Sequence, residues 1–322
     1  MKIAVITENF LKPWYPKDID NFLPGTQECV ILFSEMLKNR GFEINVFFSG
    51  PTIVEKRERG DIIYRDFSEF SLDTNYDVIF LIKINPLVDD DRLEKINVIF
   101  ISVDSKDFSK NKKYIRNFIC LTEFHKNLLR LENSIIIIPN GIDLESLENN
   151  QVEKEKNTIL YSSSPDRGLI NIFQNMENIR KNFPEMKIYI TYGFDIARKF
   201  FNHFTKVDDE ERKVELFCNH YNIFYLKNLT KNDFEKLYWK CQYWILPLIK
   251  EDSELFCLNA VKSQYCGCIP IINKIGPLKE TVGNYIEFTD FINGNLQITK
   301  SVNKINTYTW NETFENFWKK IL

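Results

Sequence analysis

Nowhere in these 322 residues does an apolar run approach the ~20 residues that a membrane-crossing helix needs, which excludes a helical membrane span. A basic leader followed by an apolar segment and cleavage site is also missing. Lys2–Thr7 (KIAVIT) goes straight into a strand pattern, so the expectation is a cytoplasmic protein without a signal peptide. Basic charge is not in excess: the net charge is −3, which gives no electrostatic case for a nucleic-acid partner. No pair of the seven cysteines has CxxC spacing, Cys266-Gly-Cys268 falling one residue short. An odd count set mostly in apolar segments reads as reduced core thiols rather than disulfides or a zinc site. Histidine is scarce, with only His125, His203 and His220. There is no fixed-period repeat and no low-complexity tract.

What is present is a chain long enough for two α/β domains, with 44% hydrophobic residues to fill two cores. Lys2–Thr7, Glu43–Phe48, Asp77–Lys83, Asn97–Val103, Phe118–Thr122 and Ser134–Pro139 read as strands, several of them apolar on both faces. Such strands joined by helices imply a parallel sheet covered on both sides. Between the first two, Thr26–Asn39 carries Val30, Phe33, Met36 and Leu37 at helical spacing and stops near Gly41. The boundary falls at the polar run Asp143–Asn157, after the turn signal Pro139-Asn140-Gly141. A second alternating series follows. It comprises strand Thr158–Ser162, helix Leu169–Asn182, strand Lys187–Thr191, helices across Asp195–His220, strand Ile223–Leu226, helix Asn232–Lys240 and strand Tyr243–Leu248. The expected organisation is an N-terminal Rossmann-like domain over 1–142, a linker over 143–157, a second such domain over 158–307, and a terminal helix over 308–322 returning to the first domain.

Three segments carry chemistry. Pro24-Gly25-Thr26-Gln27 opens a helix where glycine lets backbone N–H groups approach a ligand, or it is a plain helix start. It is not GxGxxG, and neither domain's first strand is followed by that fingerprint, which disfavours a dinucleotide-dependent dehydrogenase or epimerase. In Ser162-Ser-Ser-Pro-Asp-Arg-Gly-Leu169 a strand ends in small hydroxyl residues, and Arg167 stands at the entry to a helix. A guanidinium fork beside helix N-terminal amides suits a pyrophosphate. In Glu251–Lys262 (EDSELFCLNAVK), Asp252 or Ser253 caps an expected helix whose buried stripe is Leu258, Val261 and Tyr265. Glu254 would then accept hydrogen bonds from sugar hydroxyls while the Leu255–Cys257 amides face phosphate. Lys262 lies eight residues beyond Glu254, about 12 Å along a helix, roughly the span from a sugar to a nucleoside ribose across a diphosphate.

Taken in order, these segments resemble the GT-B glycosyltransferases, most closely the retaining glycosyltransferase family 4, over nearly the whole chain. Gly25-Thr-Gln-Glu28 with Gly41-Phe-Glu-Ile resembles the family's N-terminal glycine loop and second strand. Ile138-Pro-Asn-Gly-Ile-Asp143 resembles its "PNGID", Tyr161–Leu169 with Pro184 and Tyr192-Gly193 its "S-x-x-RGL…P…YG", and Glu254–Pro270 with Glu280-Thr-Val its acidic block and "E-T-V" tail. The resemblance implies an α/β GT-B fold of two Rossmann-like domains facing across a cleft. It implies transfer of a sugar, with retention, from a nucleotide-diphosphate donor (UDP- or GDP-linked) to a glycan, lipid-linked or other hydroxyl acceptor, in glycan biosynthesis. Arg167 would hold the diphosphate and Glu254 the transferred sugar, with Ser163 and the amides of Leu255, Phe256 and Cys257 nearby. Tyr192, Gly193, Asn228 and Leu229 would line the base pocket, and Gly25 and Thr26 would close over the phosphates from the other domain. No Asp-x-Asp stands at a strand end, so no metal or other cofactor is expected.

Two positions depart from the family pattern. Its second acid, which would hold the ribose, falls at Lys262, and an ammonium cannot accept a hydroxyl hydrogen bond. That departure leaves open a catalytically silent homologue serving as a nucleotide-sugar-binding or scaffold subunit. The family's histidine near the sugar falls in Ser102-Val103-Asp104, where Asp104 is the candidate substitute. His125 reads as a capping or interdomain residue. In Asn9–Phe22, Trp14 and Tyr15 could stack on an acceptor sugar, touch a membrane surface peripherally, or pack against the neighbouring domain.

Overall fold

The computed structural model describes residues 1–7, 14–20, 23, 25–48, 53–55, 62–83, 87, 90–101, 113–129, 135–195, 198, 207–300 and 308–321. Asp104, Pro24 and His203, singled out in the sequence, lie outside the described residues. Two compact units form, the first from Met1–Ile19, Leu23–Gly141 and Tyr308–Leu322, the second chiefly from Ile142–Thr307.

The first unit is built on β1 (Lys2–Ile6), β2 (Glu43–Phe48), β3 (Ile53–Glu55), β4 (Ile62–Asp66), β5 (Val78–Ile82), β6 (Asn97–Ile101), β7 (Ile115–Cys120) and β8 (Ile135–Ile137). They hydrogen-bond in the order β3-β4-β2-β1-β5-β6-β7-β8, every pair parallel except β3 with β4. Strand alternation feeds two cores at once. Ile3, Val5, Ile44, Val46, Phe48, Val78 and Phe80 enter one, and Ala4, Ile6, Phe47, Ile79 and Leu81 enter the other. This is why these segments are apolar throughout.

Helix α1 (Gly25–Asn39) buries Val30, Ile31, Phe33, Met36 and Leu37 against the first core. Gly41 ends it at φ +83°, a left-handed position that glycine adopts without penalty. Among the described residues, the other α-helices of this unit are α2 (Glu123–Leu129) and the terminal helix. On the latter, Trp318 stacks on Phe42 with centroids 5.0 Å apart, and Arg40 covers the Phe314 ring at 3.7 Å. Gly141 shows why "PNG" precedes the crossover: a Cβ there would lie 2.5 Å from the Trp310 backbone. Trp14 corrects the reading of an exposed aromatic pair. It is fully buried, edge-on to Phe48 at 5.1 Å and to Tyr64 at 6.2 Å, so it fills its own unit's core.

The second unit carries β9 (Glu155–Tyr161), β10 (Lys187–Thr191), β11 (Phe224–Lys227), β12 (Cys241–Leu246), β13 (Ile269–Ile272) and β14 (Ile286–Glu287) in the all-parallel order β11-β10-β9-β12-β13-β14. Its helices are α3 (Leu144–Asn149), α4 (Leu169–Gln174), α5 (Met176–Asn182), α6 (Val207–His220), α7 (Lys231–Lys240), α8 (Leu258–Tyr265), α9 (Leu278–Thr281) and α10 (Phe288–Ile292), and α11 (Trp310–Ile321) is the terminal helix described above. Helix α3 occupies the stretch expected to be a bare linker. Asp143 caps it, Leu147 is fully buried, and the Trp239 indole donates to the Leu147 carbonyl at 2.7 Å. The chain leaves β9 toward β10 and later returns on its other side at β12, so the strand order reverses between β9 and β12. Ligands in open α/β sheets bind beyond the carboxyl ends of the strands at such a point.

Candidate active site

Both segments with the strongest chemical pattern open at that reversal. After β9 the chain turns through Ser162 and Ser163, both buried, to Arg167 and Gly168. Trp244 on β12 donates to the Ser162 hydroxyl at 2.9 Å, and the Asn259 amide of α8 donates to the Ser162 carbonyl. Tyr238 on α7 in turn donates to Asn259 Oδ1 at 2.8 Å. Gly168 caps α4 at φ +99°, and a Cβ there would lie 2.3 Å from the Pro247 carbonyl oxygen. The loops after β9 and β12 can therefore touch only because position 168 has no side chain. Gly168→Ala is expected to cost about 2 kcal/mol from the left-handed backbone and the clash, read as a fall in Tm with thermal melts.

That contact places Arg167 against Glu254. The guanidinium Nη1 donates to Glu254 Oε2, with the arginine side chain 35% exposed and the glutamate 13%. Leu255 N donates to the other oxygen at 3.2 Å, and the Phe256 amide also supports the carboxylate. Burial pushes the Glu254 carboxyl up from its ordinary value, and the Arg167 cation and the two amides oppose the shift. The carboxylate raises the pKa of Arg167 in return. Burial also pushes up the Tyr192 phenol, which lies within the field of both charges. The neighbouring Cys257 is 2% exposed and its thiol is pushed up by burial, which makes it a packing residue rather than a nucleophile.

Glu254 does not start a helix, contrary to the sequence expectation. Glu251–Ser253 forms a single tight turn, Glu254 is extended at φ −139°, and α8 begins only at Leu258 behind Cys257. The carboxylate is instead presented on a short extended arm whose own amides brace it. At the other end of the sheet edge, Gly193 N donates to Asn228 Oδ1 at 2.9 Å, and Asn228 donates to Asp195 at 2.8 Å. Tyr192 and Lys227 both hold positive φ, +74° and +55°, and Tyr192 N donates to the Lys227 carbonyl at 3.0 Å. Strained backbone of this kind marks a place where geometry is fixed by more than local preference. Leu229 follows, half-buried, before the Thr230 cap of α7.

Thus Arg167, Glu254, Tyr192 and the 255–257 segment lie together, and Gly193 and Asn228 form a joined second group. Lys262 is 6% exposed, on the second turn of α8. Its ammonium lowers the carboxyl pKa of Glu235 on α7, where burial acts in the opposite sense, and it lies within the field of Cys266. Gly25 and Thr26 are the first residues of α1 in the first unit. Sequence reasoning missed Asn259, which ties α8 to the end of β9. Its one sequence signal is an amide side chain in the first turn of that helix.

No protein-family model matches the chain, and no curated protein matches it by sequence. Solved structures do match in fold. A glycosyltransferase from Rickettsia africae aligns with a TM-score of 0.65 at 14% identity, covering 99% of this chain and 94% of that one. Sucrose-phosphate synthase from Thermosynechococcus elongatus aligns at 0.62 and 11% identity over 99% of both chains. HepE from Anabaena, in complex with UDP and glucose, aligns at 0.60 and 13% identity over 98% of this chain and 95% of that one. With two parallel-sheet Rossmann-like units and alignment over nearly the full length of such enzymes, the chain has the GT-B fold.

Proposed function

We propose that the protein is a glycosyltransferase that takes a sugar from a nucleotide diphosphate and passes it, with retention, to a hydroxyl acceptor. The observation that carries this reading is the Arg167–Glu254 pair at the β9/β12 reversal of a GT-B fold. The bond from the anomeric carbon to the diphosphate breaks as the bond to the acceptor oxygen forms on the same face, and the departing phosphate oxygen takes the acceptor hydroxyl's proton. Arg167 and the 255–257 amides stabilise the charge that develops on the departing diphosphate. Glu254 turns from Arg167 toward the sugar hydroxyls once phosphate takes over the guanidinium, because a guanidinium fork matches a phosphate as well as it does a carboxylate. Tyr192, Gly193, Asn228 and Leu229 line the base pocket. No divalent ion has a role in this scheme. The complex of HepE with UDP and glucose supports a nucleotide-sugar donor, with UDP- or GDP-linked sugars the two expected. A saccharide or lipid-linked sugar is the acceptor.

A thermal-shift screen tests the reading. UDP, GDP and their glucose and mannose conjugates are added at about 100 times Kd, which stabilises the native state by about 2.7 kcal/mol. That corresponds to a rise in Tm of about 5 °C for a chain of this size. No shift with any of these compounds would remove the donor site from the second unit.

A further inference from the structure

Two segments of the second unit meet at the candidate site, and they are cross-linked at both ends. At the front, the Arg167 guanidinium donates to Glu254. At the back, the Asn259 amide, in the first turn of α8, donates to the Ser162 carbonyl at the end of β9. Ser162 stands five residues before Arg167, and Asn259 five residues after Glu254. The two arms and their two cross-links therefore close a ring. Its back link is firmly built. Ser162, Tyr238 and Trp244 are fully buried. Tyr238 on α7 donates to Asn259 Oδ1 at 2.8 Å. A carbonyl only accepts, so the Ser162 oxygen takes the NH₂ end of the same amide. Trp244 on β12 donates to the Ser162 hydroxyl at 2.9 Å, with the Tyr238 oxygen 3.5 Å from it.

Both arms carry the position of the back link forward. On the first, the Ser164 carbonyl accepts from the Tyr161 phenol at 2.7 Å and from the Arg167 amide at 3.0 Å. On the second, the Cys257 carbonyl accepts from the Ala260 and Val261 amides at 3.1 and 3.3 Å, so the extended stretch that bears Glu254 runs directly into α8. The front link is the weaker one, since the Arg167 side chain is 35% exposed. An ion pair with that much solvent contributes little by itself, because ordering a long side chain offsets the attraction of the charges. Closing it between segments already joined a few residues away costs less chain entropy than closing it across an open loop. Asn259 supplies that earlier closure.

We infer that Asn259 is a positioning residue: by fastening the first turn of α8 to the end of β9, it holds Glu254 opposite Arg167. Its bearing on catalysis rests on the transferase reading above; the placement of the pair does not. A double-mutant cycle on the full chain tests it without any ligand. Arg167→Ala, Glu254→Gln and the double variant are unfolded in urea, first with Asn259 in place and then with Asn259→Ala. With Asn259 present, the coupling of 167 to 254 is expected to raise the folding equilibrium constant about tenfold, as for side chains in contact. In the Asn259→Ala background it should drop to about threefold or less. An amide that merely braced the fold would lower stability in every variant and leave the coupling as it was, so undiminished coupling overturns the inference. Absence of coupling in the wild-type background overturns it too, because there is then no pair to position. Tyr238→Phe keeps the ring and removes only the hydroxyl that orients Asn259. It carries the test if Asn259→Ala does not fold: the coupling should fall at least about twofold, and an unchanged value overturns the inference. If the coupling depends on Asn259 while no nucleotide sugar shifts the wild-type Tm, the transferase reading fails and the positioning role stands. A nucleotide-dependent Tm shift with coupling indifferent to Asn259 sinks the positioning role alone.

Discussion

Arg167→Ala is expected to lower kcat/KM about 1,000-fold, equivalent to roughly 4 kcal/mol of transition-state stabilisation. The buried Glu254 carboxyl is driven upward by desolvation, and the Arg167 cation is the first effect to oppose it. Without that cation, the carboxyl protonates more readily and the departing diphosphate loses its fixed counter-charge. Both consequences act at the same step. Arg167→Lys keeps a charge but not the planar fork, so partial recovery is expected, with a tell-tale pH profile. On the proposed transferase reading the ionised carboxylate is the working form, so activity is expected to fall on the acid side as Glu254 protonates, and a weaker cation raises the Glu254 pKa. The acid limb of the lysine variant should therefore sit at higher pH than in the wild type. Turnover of UDP- and GDP-linked sugars across pH 5–9, read as ~tenfold steps of 1.4 kcal/mol, provides the measurement. Unchanged turnover in Arg167→Ala would place the guanidinium outside the site.

The placement of most of the candidate site was legible because those residues lie at ends of strongly patterned elements. Runs such as Val78–Ile82 and Tyr243–Leu246 are apolar on both faces, and only a covered parallel sheet buries them fully. Once their order is fixed, Arg167 and Glu254 fall at the same reversal. What escaped the sequence depends on contacts between distant segments. Gly168 reads as an ordinary helix entry until the Pro247 carbonyl is found where its Cβ would be. The delayed start of α8 follows from Glu254 drawing in the Leu255 and Phe256 amides, a choice local propensity does not reveal. Strand β4 went unread because Ile62–Asp66 is short and ends in the charged pair Arg65-Asp66, and its strand character comes from pairing with β2. Trp14 read as exposed because its neighbours are prolines and lysines, yet the ring fills the gap over Phe48 and Tyr64.

Lys262→Glu, which restores the acid of the resembled family, is expected to destabilise the protein by about 3 kcal/mol, the low end of what breaking a buried charge arrangement costs. Position 262 is 6% exposed and faces the Glu235 side of α7. Glu235 is itself 1% exposed; it accepts from Ser146 at 2.7 Å and from Asn150 at 3.0 Å, with Lys231 4.0 Å away. Burial already raises its pKa, and the Lys231 field, the Ser146 hydrogen bond, the Lys262 field and the Asn150 hydrogen bond oppose that rise. A glutamate at 262 would remove one of the two cations and add a like charge. Lys231 remains, and that keeps the penalty from being larger. The pH dependence has a definite sign. A carboxyl whose folded pKa lies above its unfolded value holds more protons in the native state, so stability falls as pH rises from about 4.5 through the folded pKa. Two facing carboxyls widen that interval, so the stability deficit of the variant should grow from pH 5 to pH 8 and shrink again on acidification. Chemical denaturation at both pH values measures it, while Lys262→Met, which deletes the cation without adding an acid, should show a smaller deficit with less pH dependence. A fully stable Lys262→Glu that binds UDP more tightly would show instead that position 262 faces the ribose, and that the lysine weakens a contact the fold still offers.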